Sequence, residues 1–481
     1  MDNFLTKKGY ILEKSKLKKG ELTKIKRALT ARPFQIKGYG MPQKPYKIFL
    51  ENDKYIALPR AWAQDNYGKP NLSKFPSGED IDLEYNGSLR PLQNEAVKDC
   101  IKRFKDTGGG ILSLYTGCGK TNVAIYLITK LKKKTLFIVD QTNLMIQVRD
   151  RILGYENDEG KKVEGLIPDA KIGYIQGKKF DIEGKDIVIG MLQSLSLKDY
   201  SKDAFNSFGL VIIDECHTVC SRQFSKALFK TTSSYMMGLT ATPDRKDGMF
   251  KVLKWHIGDI MFHREQPVIL DVTPIVQRYF IKSNELLYNE ELTNYQGKAN
   301  VVKMLTNIVD YFYRTKIILR KIKELADDKR KVLLLTERVS HVKEIKHWVE
   351  KLEICTVGLY VGGMKEKQRQ ESAKQDLIIG TYKMASKGMD VPGLDALIFA
   401  TPKNDIRQSI GRVFRKEVME RPVIIVDYID QFSSFNKQAS VRNRLYKKRK
   451  YIIKDYTVED KTGKIIDRLP KKKKVNGFMF S

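Results

Sequence analysis

The segment 117–121, Gly-Cys-Gly-Lys-Thr, combines residue types that bind phosphate. It follows the apolar run 111–114 and precedes the apolar run 123–131, a pattern that indicates a strand, a tight turn and a helix. Glycines let backbone N–H groups approach phosphate oxygens, and a helix N-terminus favours negative charge. We expect Lys120 to reach the β- and γ-phosphates of a nucleotide and Thr121 to bind Mg²⁺ through its hydroxyl. Taken alone, the pattern leaves nucleotide binding open, because a leucine replaces the first glycine of the strict motif.

Two adjacent carboxylates, Asp214 and Glu215, follow the apolar run 208–213. Such a run predicts a buried parallel strand, and open α/β sheets bind ligands beyond the carboxyl ends of their strands. We expect Asp214 to hold the metal ion and its waters, and Glu215 to orient or deprotonate the water that attacks the γ-phosphate. The alternative is a strand followed by a polar turn, which the phosphate-type loop upstream disfavours.

The chain is strongly basic, with 88 lysines and arginines against 57 aspartates and glutamates in 481 residues, a net charge of +31. Such an excess favours a polyanionic partner, with DNA or RNA as first candidates and a membrane surface as the alternative. No apolar run approaches the roughly 18 residues of a spanning helix, and no signal-peptide pattern opens the chain. We therefore expect an intracellular, soluble protein without a membrane partner.

The five cysteines are scattered, which argues against a disulfide framework. Cys216 and Cys220 are four residues apart, but no second Cys/His pair accompanies them, so a zinc site is disfavoured. Cys118 lies inside the predicted phosphate loop. We expect it to make nucleotide hydrolysis sensitive to thiol reagents.

Two series of alternating strand and helix patterns predict two α/β lobes built on doubly wound parallel sheets. The predicted strands of the first lobe are 111–114, 135–139, 187–190, 210–213 and 236–239, and those of the second are 332–335, 356–359, 377–380, 396–399 and 423–426. The predicted domains are a nucleic-acid-binding N-terminal domain (1–84), an ATP-binding lobe (85–264), a linker (265–305), a second lobe (306–436) and a basic helix and tail (437–481).

Both ends of the chain are basic. Residues 1–80 carry 17 basic and 8 acidic residues, with aromatic side chains between the bases, a mixture that suits phosphate contact and base stacking. Most of these aromatic residues also fit the core of a small domain. We expect removal of this segment to weaken DNA binding and to spare basal ATP hydrolysis, because the motifs lie downstream. The cluster 470–475 is compatible with a nuclear import signal, a DNA contact or a solvated end.

Over roughly residues 85–430, the motif series resembles the superfamily 2 helicases. Segment 90–93 resembles the glutamine motif, 116–121 motif I, 214–217 motif II in its Asp-Glu-Cys-His form, and 239–243 motif III. The resemblance implies two tandem RecA-like lobes and an ATP hydrolase that uses ATP and Mg²⁺. The nucleotide-binding residues that it implies in the first lobe are Arg90, Gln93, Thr116, Gly117, Cys118, Gly119, Lys120 and Thr121.

In the second lobe, 380–392 resembles motif V and 408–415 motif VI, Gln-x-x-Gly-Arg-x-x-Arg. The resemblance implies that Gln408, Arg412 and Arg415 join Lys120, Asp214 and Glu215 in catalysis. Arginine fingers supply positive charge to the γ-phosphate in the transition state. Further implied nucleotide contacts are Gly388 and Asp390, and the residues implied to couple ATP to nucleic acid are Thr240, Thr242 and Thr381.

The closest motif forms resemble the DNA-directed branch of the superfamily. That branch holds a repair/transcription-factor subunit, a phage recombination helicase and the transcript-release helicases of poxviruses and other large DNA viruses. The resemblance implies a DNA helicase or translocase of viral-type transcription, repair or recombination, in the nucleus or, for a viral protein, in the virus factory or virion, with transcription machinery as a candidate partner. An RNA helicase, an annealing enzyme on duplex or branched DNA, and a non-catalytic nucleic-acid scaffold are the alternatives.

Overall fold

The structure is a computed structural model. The residues that it describes are 3–34, 44–156, 160–243, 245, 247–265, 272–295, 297, 299–364, 366–386, 389, 391–413 and 421–468. Their contacts divide the chain into two compact units, residues 1–266 and residues 267–481.

The first unit begins with a small β-rich part, here called the N-terminal module (the described residues of 1–84). Its elements are β1 (Phe4–Thr6), β2 (Gly9–Glu13), α1 (Glu21–Ala28), β3 (Thr30–Ala31), β4 (Tyr46–Lys47), β5 (Leu50–Glu51), β6 (Tyr55–Leu58), α2 (Arg60–Tyr67) and β7 (Leu72–Ser73). Five strands form a sheet in the order β5-β6-β2-β1-β7, and β3 pairs with β4 as a separate antiparallel ribbon.

The rest of the first unit is an α/β lobe. Its strands are β8 (Gly109–Leu114), β9 (Thr135–Val139), β10 (Gly154–Glu156), β11 (Lys162–Glu164), β12 (Ile172–Gln176), β13 (Lys179–Phe180), β14 (Ile187–Met191), β15 (Leu210–Ile213), β16 (Tyr235–Thr240) and β17 (Ile260–Arg264). Its helices are α3 (Pro91–Thr107), α4 (Lys120–Leu131), α5 (Thr142–Leu153), α6 (Leu192–Leu197), α7 (Lys226–Lys230) and α8 (Phe250–Ile257). A 3₁₀ helix spans Cys216–Cys220.

The first lobe's large sheet has the order β13-β12-β14-β9-β15-β16-β8-β17, and all its pairings except that of β12 with β13 are parallel. Strands β8, β9, β14 and β15 are buried along their whole length, as continuous apolar runs predict. Because β8, β16 and β15 are successive neighbours and parallel, their carboxyl ends lie at one edge of the sheet. The loops that carry the candidate motifs therefore meet at this edge.

The second unit is built on another eight-stranded sheet, in the order β20-β21-β19-β22-β23-β18-β24-β25. Its strands are β18 (Ile275–Lys282), β19 (Val332–Thr336), β20 (Val357–Tyr360), β21 (Leu377–Thr381), β22 (Ala396–Phe399), β23 (Ile424–Asp430), β24 (Ile452–Glu459) and β25 (Ile465–Asp467). Its helices are α9 (Leu286–Asn289), α10 (Val301–Asp310), α11 (Phe312–Asp327), α12 (Val339–Lys351), α13 (Glu366–Ala373), α14 (Tyr382–Ser386), α15 (Arg407–Val413) and α16 (Ser433–Lys448). The fold class predicted from the sequence, two tandem parallel-sheet α/β lobes, is confirmed.

The structure corrects two predicted boundaries in this unit. Segment 265–305, expected as a linker, contributes β18, which lies inside the sheet between β23 and β24. The basic segment 437–481, expected as a helix and a loose tail, contributes β24, whose Asp455 is paired with Arg278 of β18 at 2.6 Å. Both strands mix charged and apolar residues, so they lack the continuous apolar pattern of the other strands. The cluster 470–475 lies outside the described residues.

The N-terminal module also differs from its prediction as a separable domain. Ala31, Tyr46 and Ile48 belong to the same buried cluster as the 3₁₀ helix and α8 of the first lobe. The fully buried guanidinium of Arg60 donates to the carbonyl oxygens of Ser233, Ser234 and Gly108, each at 3.0 Å. Removing residues 1–80 would uncover this cluster and leave those carbonyls without their donor. We therefore no longer expect the protein without residues 1–80 to keep basal ATP hydrolysis.

Among the described residues, no helix is long and apolar enough to cross a membrane.

Arg60→Ala tests the attachment of the N-terminal module. We expect the free energy of unfolding to fall by about 3 kcal/mol, because several buried carbonyl groups lose their hydrogen-bond donor. Urea denaturation followed by circular dichroism measures the change. Lys69→Ala is the matched control, since Lys69 is an exposed base just beyond α2; it should shift stability by less than about 0.5 kcal/mol. Equal urea denaturation midpoints for Arg60→Ala and Lys69→Ala would show that Arg60 does not attach the N-terminal module to the first lobe.

Candidate active site

The predicted phosphate loop joins β8 to α4. Gly117 and Gly119 have φ angles of +88° and +83°, which L-residues with a side chain adopt only under strain. This backbone turns the chain so that α4 begins directly at Lys120, whose Nζ lies 3.3 Å from the carbonyl oxygen of Leu114. The loop thus exposes a glycine-rich backbone at a helix N-terminus, with a lysine in the first turn.

Gln93 supports the loop from the side. It is 3 % exposed, its Nε2 donates to the carbonyl oxygen of Cys118 at 2.9 Å, and its Oε1 accepts from the backbone N–H of Arg90 at 2.9 Å. A Cβ atom on Gly119 would lie 2.3 Å from Gln93 Nε2. A side chain at position 119 would therefore have to displace the hydrogen-bonded Gln93 amide as well as strain the backbone.

Cys118 is buried within the loop, with 4 % of its surface exposed. Burial raises the pKa of its thiol, and the Tyr115 hydrogen bond and nearby cations offset this only partly. Because the thiolate is the reactive form, the expected sensitivity to thiol reagents is not supported.

Asp214 and Glu215 follow β15 at the same edge of the sheet. Burial, reinforced by the neighbouring charge of Glu215, raises the pKa of the Asp214 carboxyl to about 7, against the opposing effect of Lys120. Asp214 Oδ1 accepts from the backbone N–H of Glu215 at 2.9 Å. Glu215 itself has a φ of +42°, a left-handed conformation that costs a residue with a side chain roughly 1–2 kcal/mol. The carboxylate pair is thus both electrostatically costly and conformationally strained.

His217 connects this pair to the end of β16. Its Nδ1 lies 3.3 Å from Glu215 Oε2 and 3.4 Å from Thr240 Oγ1. The contact with Glu215 is one of proximity, because Glu215 Oε2 accepts no hydrogen bond among the described residues. Thr240 Oγ1 also accepts from the backbone N–H of Thr242 at 3.1 Å and lies 3.2 Å from its carbonyl oxygen. The predicted coupling threonines are therefore linked to the carboxylate pair by direct contacts.

The residues at this edge suit Mg²⁺. Thr121, in the first turn of α4, and Asp214 offer the hydroxyl and carboxylate oxygens that this ion prefers. Excess negative charge at a partly buried carboxylate also favours a nearby cation. Within the described residues, no group of three or more His, Cys, Asp or Glu side chains forms a complete metal cage. Magnesium bound with a nucleotide does not require one, because phosphates and waters complete its shell.

The second unit holds the other predicted site residues. Thr381 is the last residue of β21, and Gln408 and Arg412 lie on α15. The side chain of Arg412 is largely buried, and its Nη1 donates to the carbonyl oxygen of Met389 at 3.0 Å. Predicted site residues outside the described part of the chain are Gly388, Asp390 and Arg415.

Three residues outside the predicted site set support motif II, and two of them, Arg245 and Asp247, belong to the Arg-Lys-Asp pattern after motif III, which resembles an element of the repair/transcription-factor subunit. Arg245 Nη1 donates to the carbonyl oxygen of His217 at 2.6 Å, and Arg245 is paired with Asp247. Tyr46 of the N-terminal module donates its hydroxyl proton to the carbonyl oxygen of Cys220 at 2.7 Å. The Arg-x-Asp pattern after motif III was a detectable signal for the first pair. No local pattern could reveal the Tyr46 contact, because 174 residues separate its partners.

Comparisons with known proteins agree with this geometry. Residues 86–245 match the family model of the type III restriction enzyme res subunit. A protein of Acanthamoeba polyphaga mimivirus named "Putative ATP-dependent RNA helicase L396" is 36 % identical over 465 residues, or 95 % of this chain and 87 % of the relative. The "DNA 3'-5' translocase XPB2" of Sulfurisphaera tokodaii is 27 % identical over 380 residues, or 70 % of this chain and 80 % of the relative.

A solved structure shares the fold. It is "the fragment structure of a putative HsdR subunit of a type I restriction enzyme from Vibrio vulnificus YJ016", with a TM-score of 0.54 and 16 % identity over 79 % of this chain and 71 % of that chain. The extent of the mimivirus match, together with the motif geometry, establishes the family. The chain belongs to the superfamily 2 helicases, enzymes that depend on ATP and act on nucleic acid.

Proposed function

We propose that the protein is an ATP hydrolase that drives movement on, or remodelling of, DNA. The observation that carries the proposal is the continuous arrangement at the edge of the first sheet. The phosphate loop, the carboxylate pair and the threonines at the end of β16 follow neighbouring parallel strands, and His217 contacts both Glu215 and Thr240. The proposed site of hydrolysis is thereby connected directly, through His217, to the threonine segment that we propose responds to nucleic acid.

In this proposal, different residues carry out the separate tasks of ATP hydrolysis. The loop backbone and Lys120 bind the phosphates, while Gln93 and Arg90 fix the loop beside the adenine. Thr121 and Asp214 would hold Mg²⁺, which when bound neutralises charge on the phosphate oxygens. Glu215 orients the attacking water and accepts its proton.

The geometry gives His217 a defined role in this proposal. His217 Nδ1 lies near both Glu215 Oε2 and Thr240 Oγ1, so a shift of the loop after β16 would change the surroundings of the general base. Thr242 binds the same hydroxyl through its backbone. We assign Thr240 and Thr242 to coupling on this ground, with Thr381 as their counterpart in the second unit. We propose that Gln408, Arg412 and Arg415 stabilise the negative charge on the γ-phosphate in the transition state.

DNA is the proposed substrate because the relative from Sulfurisphaera tokodaii is named as a DNA translocase. The basic N-terminal module suits phosphate contact in either nucleic acid. RNA is the second candidate, favoured by the names of the mimivirus relative and of the African swine fever virus relatives, "Putative ATP-dependent RNA helicase QP509L". We propose a role in viral-type transcription, repair or recombination.

ATPase stimulation tests the substrate directly. Single-stranded DNA, duplex DNA, forked DNA and single-stranded RNA of equal length are compared at fixed salt, because phosphate contacts are salt-dependent. We expect the DNA substrates to raise kcat well above the basal rate and RNA to raise it less. Equal or greater stimulation by RNA would transfer the proposal to the RNA helicases. Stimulation only by duplex or forked DNA, without strand separation, would identify a translocase or annealing enzyme.

Gly119→Ala tests the phosphate loop. The new methyl would strain a left-handed backbone and collide with the amide of Gln93, so we expect the loss of measurable ATP binding or a rise of at least about tenfold in the Kd for ATP. Gly184→Ala is the matched control, since Gly184 also has a positive φ, +61°, but no atom lies within 4 Å of the added Cβ. Isothermal titration measures both affinities. If the two variants bind ATP equally, the loop assignment is wrong.

A further inference from the structure

The 3₁₀ helix Cys216–Cys220 follows Glu215 without a spacer. Its position therefore determines where the Glu215 side chain and the His217 ring lie. Because Glu215 has a left-handed backbone, contacts from outside the segment must maintain this conformation. Two carbonyl oxygens of the helix, those of His217 and Cys220, receive such contacts from side chains elsewhere in the chain.

The first contact comes from the loop after β16. Arg245 donates to the His217 carbonyl at 2.6 Å and is held by the carboxylate of Asp247. Asp247 Oδ1 in turn accepts from the backbone N–H of Met249 at 3.0 Å, next to the start of α8. The carbonyl oxygen of Asp247 accepts from the backbone N–H of Phe34, a residue that follows β3. The hydrogen bonds that support the 3₁₀ helix from this loop therefore extend to the N-terminal module.

The second contact comes from the module itself. Tyr46 is 6 % exposed, and its hydroxyl donates to the Cys220 carbonyl at 2.7 Å. Burial, aided by the neighbouring Cys220, raises the pKa of Tyr46 to about 12, so the hydroxyl keeps its proton at neutral pH. The β3–β4 ribbon fixes this side chain, because Tyr46 pairs with Ala31 in its ladder. Ala31, Tyr46 and Cys220 then share one buried cluster.

We propose that Tyr46 is a positioning residue for ATP hydrolysis, which it serves by fixing the 3₁₀ helix that follows Glu215. Through it, the β3–β4 ribbon of the N-terminal module becomes a part of the hydrolytic apparatus. This inference rests on the proposed function, since it takes Glu215 as the general base. It assigns the module a role that its basic charge alone does not predict.

The ribbon also joins this support to the basic surface of the module. Lys47, next to Tyr46 on β4, and Arg32, which directly follows β3, are exposed. The polar anchor Tyr46 and the exposed base Lys47 are thus one residue apart in sequence. A displacement of the ribbon would act on the Cys220 carbonyl directly, with no flexible segment between them.

Tyr46→Phe removes the hydroxyl and retains the buried ring. We expect kcat for ATP hydrolysis to fall by about threefold to tenfold, the effect of one lost hydrogen bond to a buried carbonyl. The KM for ATP should stay within about twofold of the wild-type value, because neither the loop nor Lys120 is touched. Rates are measured at a temperature at which circular dichroism shows the variant to be fully folded. A purely structural role would lower stability and leave kcat of the folded enzyme unchanged.

Tyr67→Phe is the matched control. Tyr67 lies in the same module, and its hydroxyl donates to Glu21 Oε1 at 3.1 Å, away from the 3₁₀ helix. We expect its kcat to equal that of the wild type. A double-mutant cycle adds a second readout: Tyr46→Phe and Arg245→Lys should be non-additive in kcat, since both act on one helix, whereas Tyr67→Phe and Arg245→Lys should be additive.

An unchanged kcat in Tyr46→Phe, or additivity of Tyr46→Phe with Arg245→Lys, would overturn the positioning role. These outcomes differ from a failure of the proposed function. In that case the wild-type protein would not hydrolyse ATP, or Glu215→Gln would hydrolyse it at the wild-type rate. Wild-type hydrolysis that requires Glu215 but is insensitive to Tyr46→Phe would reject the inference alone.

Discussion

The adjacent carboxylates Asp214 and Glu215 impose the constraint on which the first unit depends. Asp214 is partly buried at the end of β15, and both desolvation and its neighbour's charge oppose its ionisation. Glu215 adopts a left-handed backbone beside it. Two carboxyl groups in this setting need nearby positive charge and rigid support. Lys120 supplies one positive charge, and we propose that a nucleotide-bound magnesium ion supplies the other. Arg245 and Tyr46 hold the segment that follows.

Within its described residues, the second unit contains two buried ion pairs between its sheet and its helices. Asp427 and Asp430 lie on the central strand β23 and are fully buried, each paired with a fully buried arginine. Arg442 of α16 donates to Asp427, and Arg314 of α11 donates to Asp430 at 2.8 Å and to the Ala400 carbonyl at 2.6 Å. Removing one partner of such a pair costs about 3–5 kcal/mol. These pairs fix α16 and α11 to the sheet of the second unit.

The sequence predicted the fold class and the central strands, because a parallel strand covered on both sides is a continuous apolar run. It failed for β18 and β24, whose charged residues pair across the sheet, as Arg278 does with Asp455. It predicted the phosphate loop from glycine spacing but not the contact that makes Gly119 necessary. It treated the N-terminal module as separable, since nothing local links Tyr46 to Cys220 or Arg60 to Ser233. Hydrogen bonds between residues that are far apart in the chain leave no periodic pattern in the sequence.

The central claim is that Asp214 and Glu215 carry separate tasks, one in binding and one in chemistry. The most direct measurement is the affinity for ATP with and without Mg²⁺, together with turnover, in Asp214→Asn and Glu215→Gln. We expect Glu215→Gln to bind ATP with the wild-type dependence on Mg²⁺ while turnover falls by about 100-fold or more. Asp214→Asn should lose most of that dependence. Wild-type turnover in Glu215→Gln, or an unchanged dependence on Mg²⁺ in Asp214→Asn, would contradict the account.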